Sequence, residues 1–355
     1  MEKVLVGMSG GVDSAVAAYL LKEKGYDVIG VTLRTWESSN GEESRCCEID
    51  DARRVANSLG ISYHVHNCTS EFREYVTEPF INDYINGLTP NPCIGCNRYV
   101  KWEKMMYLAR VMDAKYVATG HYAFVEKLDN GRYSVKKALH AEKDQTYMLY
   151  RLSQEQLSST LMPLGKYSKD EVRAIAVKAG IPVAEKPDSQ EICFVPDDDY
   201  AGFIEENAAG KLRGEGSFVD EDGKPLGKHK GIIHYTVGQR KGLGLPLGYP
   251  AYVKEIRPLE NEVVISKEGS LYRDEIVLRD VNYLSIENIP ERGKIRCMVK
   301  IRYHHPGKTA VIENAGEGRV RIVFDEPVKA AAPGQSAVFY DEDGCVIGGG
   351  IILGE

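Results

Sequence analysis

The 355-residue sequence lacks a hydrophobic run long enough to cross a membrane, and it opens on a predicted core strand where a secreted protein would carry a signal sequence. These two absences predict a cytoplasmic protein. The chain also lacks an excess of basic residues: its net charge is −7, so any contact with nucleic acid must depend on local basic patches. It has only eight cysteines, which argues against a structural disulfide framework and favours reduced thiols.

Two common nucleotide-binding motifs are missing as well, the Walker loop with its Gly-Lys-Ser/Thr ending and the dinucleotide G-x-G-x-x-G. In their place, SGGVDS at 9–14 directly follows the apolar strand 4–8. A strand that leads through two glycines into a helix leaves backbone N–H groups uncovered at the positive helix end. This predicts a phosphate site, and the SGGxDS spacing resembles the PP-loop of ATP pyrophosphatases, which cleave ATP to AMP and pyrophosphate.

Residues 1–200 alternate short strands with helical periodicity, which predicts a doubly wound parallel sheet. Ligands of such sheets bind at the carboxyl ends of the strands, where Ser9, Leu33 and Gly120 fall. Farther on, Gly-rich turns and short β-branched runs predict two small β-rich domains, the last a β-barrel. We therefore expect an α/β chain with domains at 1–202, 203–275 and 276–355.

Individual elements follow from apolar periodicity and from turn residues. Strands are predicted at 4–8, 28–33, 61–65 and 116–119, a hairpin at 124–127 and 133–137, and later strands at 252–256, 262–266, 295–301, 309–313, 319–324 and 336–340. Helices are predicted from Val12 to the turn before Gly25, at 50–59, and from the capping box that begins at Ser168 to Ala179.

Cys93 and Cys96 form a C-x-x-C on a Pro-rich segment that precedes a predicted helix. A thiol at a helix N-terminus is stabilised as thiolate, which makes Cys96 a candidate nucleophile. The pair alone fits half a zinc site, a redox dithiol or two cluster ligands, and no second C-x-x-C or H-x-x-x-H completes a zinc site. Cys193, between Ile192 and Phe194, fits a small buried apolar residue on local sequence alone. Packing is also expected for Cys68, Cys297 and Cys345, and the adjacent Cys46 and Cys47 are spaced wrongly for joint chelation.

Eight sequence blocks spread over nearly the whole chain resemble the tRNA-specific 2-thiouridylase family, which places sulfur on the wobble uridine of tRNA. Blocks such as VGQRKGLG and KDQ are not features of other PP-loop enzymes. The blocks are GMSGGVDS at 7–14, TPNPCIGCN at 89–97, ATGHY at 118–122, KDQTY at 143–147, DSQEICF at 188–194, VGQRKGLG at 237–244, IRY at 301–303 and PGQSAVFY at 333–340.

The resemblance implies that ATP adenylates the 2-carbonyl oxygen of the uracil, which turns a poor leaving group into AMP. Mg²⁺ would neutralise the departing pyrophosphate. The family pattern places the nucleotide against Gly7, Met8, Ser9, Gly10, Gly11, Val12, Asp13, Ser14, Leu33 and Gly120.

The resemblance also implies the route of the sulfur. Cys193 would carry a persulfide, and Cys96 would act as the nucleophile that assists its release. A transient Cys96–Cys193 disulfide would remain for a reductant to reopen. The persulfide would come from a donor or carrier such as a cysteine desulfurase.

One position departs from the family: many relatives carry aspartate, a candidate general base, where this chain has Cys93. With Cys93, Cys96 and Cys193, the chain has three thiols that could hold an iron–sulfur cluster with one iron open to sulfide. In that alternative, no persulfide and disulfide cycle is needed. Iron and sulfide assays after anaerobic purification separate the two.

The remaining blocks imply contacts with tRNA, whose unstacked anticodon bases can enter a pocket. Two stretches, 292–302 and 228–241, are locally basic and could add phosphate contacts. The family pattern places Asn91, Pro92 and Cys93 at the target base, and Lys143, Asp144, Gln145, Arg302, Tyr303, His121 and Gln335 at other tRNA contacts.

Two other functions remain open at this point. An amide-forming ligase of the same superfamily, of the argininosuccinate or GMP synthetase type, would use the PP-loop but would need neither Cys96 nor Cys193. A protein that binds RNA and retains ATP without turnover would bind tRNA and form no product.

Overall fold

The computed structural model describes residues 1–36, 48–187, 192–195, 198–208 and 210–354. Cys46, Cys47 and the first four residues of the DSQEICF block lie outside these ranges. The first domain is built on a parallel sheet in the order β3-β2-β1-β4-β7, as the alternating pattern predicts. The strands are β1 (Lys3–Gly7), β2 (Asp27–Arg34), β3 (Ser62–Asn67), β4 (Tyr116–Ala118) and β7 (Thr160–Leu161).

Helices pack on the sheet because their apolar faces are buried against it. A separate antiparallel hairpin follows β4. The helices are α1 (Val12–Glu23), α2 (Ile49–Leu59), α3 (Thr69–Phe72), α4 (Glu78–Ile85), α5 (Pro92–Gly95), α6 (Trp102–Val111), α7 (Gln154–Ser158), α8 (Lys169–Lys178) and α9 (Tyr200–Asn207), and the hairpin strands are β5 (Ala123–Lys127) and β6 (Tyr133–Lys137).

Two π-helical turns interrupt the helices of this domain. Arg73–Thr77 joins α3 to α4, and Cys96–Lys101 joins α5 to α6. The two turns meet through Tyr75 and Tyr99, whose rings stack with centroids 5.5 Å apart. A π turn is rare and occurs often at functional sites.

The central domain contains a four-stranded sheet in the order β10-β11-β8-β9. The predicted boundary at 202/203 lies within α9, and Phe203 of α9 packs on Trp36 and Phe80 of the first domain. We therefore propose that α9 belongs to the first domain. The strands are β8 (Gly216–Val219), β9 (Pro225–His229), β10 (Tyr252–Arg257) and β11 (Glu262–Ser266).

The last domain is a closed barrel of six strands in the order β12-β15-β14-β13-β16-β17. The predicted boundary at 275/276 lies inside β12, which pairs with β15 from Tyr272 onward, so we propose that the barrel begins at Tyr272. The strands are β12 (Tyr272–Tyr283), β13 (Lys294–Lys300), β14 (Lys308–Asn314), β15 (Val320–Lys329), β16 (Ser336–Tyr340) and β17 (Val346–Ile352).

The barrel is docked on the first domain by hydrogen bonds from that domain's side chains. Arg132, in the turn of the β5–β6 hairpin, donates to the carbonyl oxygen of Leu284 at 2.8 Å. The hydroxyls of Ser134 and Tyr147 donate to the carbonyl oxygens of Val346 and Ser336 at 2.7 and 2.8 Å. The Ser134 and Tyr147 groups are buried and the Arg132 group is partly buried, so each bond costs stability when it is broken. None of the helices in the described part of the chain is long and apolar enough to span a membrane.

Candidate active site

The SGGVDS segment connects β1 to α1 at the carboxyl edge of the sheet. Gly10 adopts a φ of +83°, which favours glycine, and Gly11 precedes α1 with no side chain capping it. The Ser14 hydroxyl donates to the Gly11 carbonyl oxygen at 3.0 Å and accepts from the Ser9 N–H at 3.2 Å. The loop is therefore held by its own serines, while the start of α1 keeps its uncovered N–H groups, as an anion site requires.

Gly120, just after β4, lies against this loop. A Cβ at this position would be 2.7 Å from the backbone atoms Asp13 C and Ser14 N, so only glycine permits the approach. Leu33 is buried at the end of β2, beside the same edge. Met8 and Val12 are 3% exposed, which means that their side chains belong to the core and only their backbone can face a nucleotide.

Two residues that the sequence analysis did not assign bind the carboxylate of Asp13. The Tyr122 hydroxyl donates to Oδ1 at 2.7 Å, and the Lys169 ammonium lies 2.8 and 2.9 Å from Oδ1 and Oδ2. Tyr122 was contained in the ATGHY block and Lys169 in the predicted capping box, but neither position carries a local signal for this contact. The backbone N–H of Tyr122 also donates to Gln145 Oε1 at 2.9 Å, which ties the KDQ block to the PP-loop.

The C-x-x-C lies inside a helix rather than in front of one. Asn91 caps α5 by accepting from the Cys93 N–H at 3.1 Å, and Pro92 occupies the first turn. Cys96 follows one turn later, at the start of the π turn, and is 6% exposed. The expectation that Cys96 lies at a helix N-terminus is therefore wrong, because the field of a helix end falls off within the first turn, where Cys93 lies.

The barrel holds the beginning of the C-x-x-C segment. The Thr89 N–H donates to the Pro333 carbonyl oxygen at 2.8 Å. Gly334 has a φ of +89°, and a Cβ there would be 2.8 Å from the Thr89 nitrogen. Gln335, a predicted tRNA contact, is the next residue, so the structure brings the PGQ and TPNPC blocks together.

The aspartate of the KDQ block faces inward. Asp144 is 7% exposed, and its carboxylate accepts from the Ala138 N–H at 3.2 Å and from the Thr146 hydroxyl at 2.8 Å. Its observed role is structural. The half-buried Lys143 and Gln145 flank it.

Tyr303 lies where the barrel meets the first domain, against Tyr147. Its ring centroid lies 6.1 Å from that of Tyr147, and burial raises the pKa of its phenol, with smaller contributions from the charges of Asp144 and Cys93. Arg302 is exposed and donates to the Lys329 carbonyl oxygen at 3.3 Å. Asp144 and Cys93, which lie far from Tyr303 in the sequence, are therefore near enough to influence its phenol electrostatically.

His121 is held in one orientation at the end of β4. Its Nδ1 shares a hydrogen bond with the Thr119 hydroxyl at 2.8 Å, and its ring lies 5.4 Å from Trp102. Burial, with a smaller contribution from the Lys101 charge, lowers the pKa of His121 to about 3. The imidazole is therefore neutral near pH 7, so it can donate or accept a hydrogen bond but brings no positive charge to RNA.

Cys193 is half-buried, next to an aromatic cluster. Its neighbour Phe194 packs against Phe72, Phe80 and Phe203 with centroids 5.2 to 5.5 Å apart. Cys193 packs against the same apolar core that contains Cys96. The partial exposure differs from the fully buried position that the local sequence favours.

The described residues contain no group of three or more His, Cys, Asp or Glu side chains placed to hold a metal ion. Cys93, Cys96 and Cys193 all lie within those residues and are therefore not gathered as cluster ligands. The carboxylate of Asp13 is engaged by Lys169 and Tyr122. The arrangement observed does not fit a ready-made iron–sulfur site.

Asn97, next to Cys96, is a buried polar residue that the sequence analysis missed. It is 2% exposed, and its amide nitrogen donates to the Met148 carbonyl oxygen at 3.1 Å. Its Oδ1 is buried without a hydrogen-bond partner among the described residues. An unpaired buried acceptor is costly and is often explained by a ligand or a role in the site.

Comparisons with known proteins cover the whole length of the chain. Residues 2–197 match the family described as the tRNA methyl transferase HUP domain, residues 202–267 its PRC-barrel domain, and residues 273–352 the aminomethyltransferase beta-barrel domain. The tRNA-specific 2-thiouridylase MnmA of Lachnoclostridium phytofermentans is 53% identical, with 99% of this chain and 100% of that protein covered. The protein of the same name from Clostridioides difficile is 50% identical, with 99% and 98% covered.

Part of the chain also resembles a solved structure at low sequence identity. The U34-tRNA thiolase NcsA from Methanococcus maripaludis, solved with its [4Fe-4S] cluster, is 21% identical, with a TM-score of 0.36 and with 59% of this chain and 67% of that chain covered.

Proposed function

The chain belongs to the tRNA-specific 2-thiouridylase family, and from that premise we propose that it uses ATP to replace the 2-oxygen of the wobble uridine of tRNA with sulfur. The observation that supports the proposal is the chain of hydrogen bonds from the PP-loop to the KDQ block, together with the electrostatic influence of the KDQ block and of the C-x-x-C on Tyr303. Asp13 is bonded to Tyr122 and Tyr122 to Gln145, and, in addition to burial, the charges of the neighbouring Asp144 and of Cys93 both raise the pKa of Tyr303.

The first chemical step is adenylation. The uracil O2 attacks the α-phosphorus of ATP, the α–β anhydride bond breaks, and pyrophosphate leaves with the electron pair. The N–H groups at the start of α1 and the Ser9 hydroxyl bind the phosphates, Ser14 holds the loop in shape through Gly11, and Gly120 lets the strand end approach the loop. Mg²⁺ is expected to arrive with ATP, bound mainly by its phosphates, since the described residues gather no three-ligand metal site.

Sulfur transfer follows at the activated carbon. The terminal sulfur of a Cys193 persulfide bonds to C2, and AMP leaves with the former carbonyl oxygen. The Cys96 thiolate then attacks the inner sulfur of Cys193, so that the sulfur–sulfur bond of the persulfide breaks and a Cys96–Cys193 disulfide forms. An external thiol returns two electrons and regenerates both thiols. The partial exposure of Cys193 supports its loading by a persulfide donor such as a cysteine desulfurase.

The family pattern assigns the target base to the segment that contains the half-buried Cys93, whose N–H is capped by Asn91 at the start of α5. Its thiol stands in place of the aspartate of many relatives. The persulfide route is preferred over an iron–sulfur cluster because the three cysteines do not converge in the described structure. No step requires Asp144 to touch RNA, since its carboxylate is occupied by Ala138 and Thr146.

The test uses purified protein with ATP, Mg²⁺, a persulfide donor and unmodified tRNA, scored for 2-thiouridine. Cys193→Ala and Cys96→Ala should each abolish the product and leave tRNA binding within about threefold of the parent. The matched control is Cys297→Ala: Cys297 is 6% exposed, like Cys96, and burial raises the pKa of its thiol to about 12. Full activity of either site variant would contradict the proposed route.

The same assay separates the rival functions. An amide-forming ligase would yield no thiolated tRNA, and its ATP turnover would survive both cysteine variants. A protein that only binds RNA would show tRNA affinity without pyrophosphate release. Iron and sulfide in an anaerobically purified sample, lost together with activity, would favour the cluster route.

A further inference from the structure

The acidic residues around the phosphate loop are paired with lysines from one later segment of the chain. Asp13 is bonded to Lys169, the first residue of α8. On the other side of the loop, Lys186 lies 2.5 Å from Glu48 and also binds Asp51. Glu48 and Asp51 adjoin the loop directly, since a Cβ on Gly10 would be 2.6 Å from the Glu48 carbonyl oxygen and 3.2 Å from Asp51 Cβ.

These pairs matter because the loop is proposed to receive a highly charged anion. A carboxylate in the first turn of α1 is stabilised by the helix end, but it also repels phosphate groups bound at the same end. The repulsion is substantial at this site because the pair is largely shielded from water: the Lys169 side chain is 12% exposed and that of Asp13 is 32% exposed.

We propose that Lys169 is a positioning residue for ATP, which neutralises Asp13 and, together with the Tyr122 hydroxyl, keeps its carboxylate fixed beside the phosphate loop. The inference rests on the proposed use of the PP-loop for ATP. Lys169 acts through Asp13 and needs no direct contact with substrate. Both oxygens of Asp13 lie within hydrogen-bond distance of the ammonium, so the charge-assisted pair fixes the carboxylate as well as neutralising it.

The decisive measurement is a double-mutant comparison of the KM for ATP. Lys169→Met leaves Asp13 charged and is expected to raise the KM for ATP by about tenfold or more, with a smaller change in kcat and an unchanged KM for tRNA. Removal of the opposing charge in the Asp13→Asn/Lys169→Met double variant is expected to lower the KM for ATP again, well below that of the single variant. Lys169→Arg keeps the charge and should retain most of the affinity.

Lys178→Met is the matched control, because Lys178 is exposed on the same helix and far from the loop. Thermal melting of each variant reports on folding, and should Lys169→Met not fold, the double variant is compared directly with the parent. A KM for ATP in Lys169→Met equal to that in Lys178→Met overturns the inference. A double variant as weak as the single one also overturns it, because Lys169 would then act on something other than Asp13. A parent that shows no use of ATP at all would refute the proposed function instead.

Discussion

Replacing Gly120 by alanine tests whether the ends of β1 and β4 form one ATP site. The added Cβ would lie 2.7 Å from both Asp13 C and Ser14 N, whereas ordinary van der Waals contact begins at 3.4 Å. The atoms it meets belong to the backbone and cannot rotate away. The phosphate loop and the end of β4 must therefore separate by about 0.7 Å, in an interior that has little free volume.

Overpacking of this kind costs about 1–3 kcal/mol of folding stability. A displacement near 1 Å in a positioning element can cost on the order of 100-fold in rate. We therefore expect the KM for ATP of Gly120→Ala to rise about 10- to 100-fold in a pyrophosphate-release assay, while the KM for tRNA stays within about twofold.

Gly269→Ala is the matched control for this variant. Gly269 also has no left-handed φ, and its added Cβ would meet nothing within 4 Å. This control should match the parent in melting temperature and in the KM for ATP. An unchanged KM for ATP in Gly120→Ala would refute the placement of ATP phosphates at this loop.

Three further predictions concern the interface between the barrel and the first domain, the buried Asp144, and the buried His305 of the barrel. Gly334→Ala should lower kcat at least about fivefold without raising the KM for ATP, because the added Cβ would displace Thr89. Gly318→Ala is the control for backbone strain in the same kinetic assay, because Gly318 has a φ of +71° and an added Cβ would meet no atom within 4 Å. Asp144→Asn should cost about 1–3 kcal/mol in denaturant unfolding because it disrupts buried hydrogen bonds, whereas Lys143→Gln should leave stability unchanged and raise the KM for tRNA. Burial and neighbouring positive charges lower the pKa of His305 from 6.5 to about 4. Between pH 6.5 and 4 the unfolded chain therefore binds a proton on this histidine that the folded chain does not. The free energy of unfolding falls as pH decreases through this window. Melting curves of His305→Gln should show a weaker loss of stability from pH 6.5 to 4, and an unchanged slope would contradict the assignment.

Elements with strong local signals were predictable from the sequence. β11 and β16 coincide with the predicted strands 262–266 and 336–340. The capping box at Ser168 is present, with its hydroxyl accepting from the Glu171 N–H at 3.2 Å. Apolar alternation and capping chemistry act within a few residues, so they are readable without the fold.

Contacts across the chain were not predictable in the same way. Asp13 and Lys169 are separated by 156 residues, and only the packing of α8 beside α1 brings them together. The start of the helix at Pro92 was in principle readable, because asparagine followed by proline is typical of a helix N-terminus. The π turn that follows carries no comparable signal, so the burial of Cys96 could not be derived locally.

The structure also changes which basic residues are available to attract tRNA. In the stretch 292–302, Lys294 is paired with Glu313 and Arg296 with Asp325, so much of its charge is neutralised. In the stretch 228–241, Arg240 and Lys241 are exposed, and within the described chain no carboxylate lies in ion-pair distance of either. Because unpaired cations on the surface release counterions when they bind phosphates, the central domain should contribute more of the salt dependence of tRNA binding than β13 does. The double variant Arg240→Gln/Lys241→Gln should therefore reduce the slope of log Kd against log salt by about one to two units. The double variant Lys294→Gln/Arg296→Gln should reduce this slope by less. A larger reduction in the second double variant than in the first would place the RNA on the barrel.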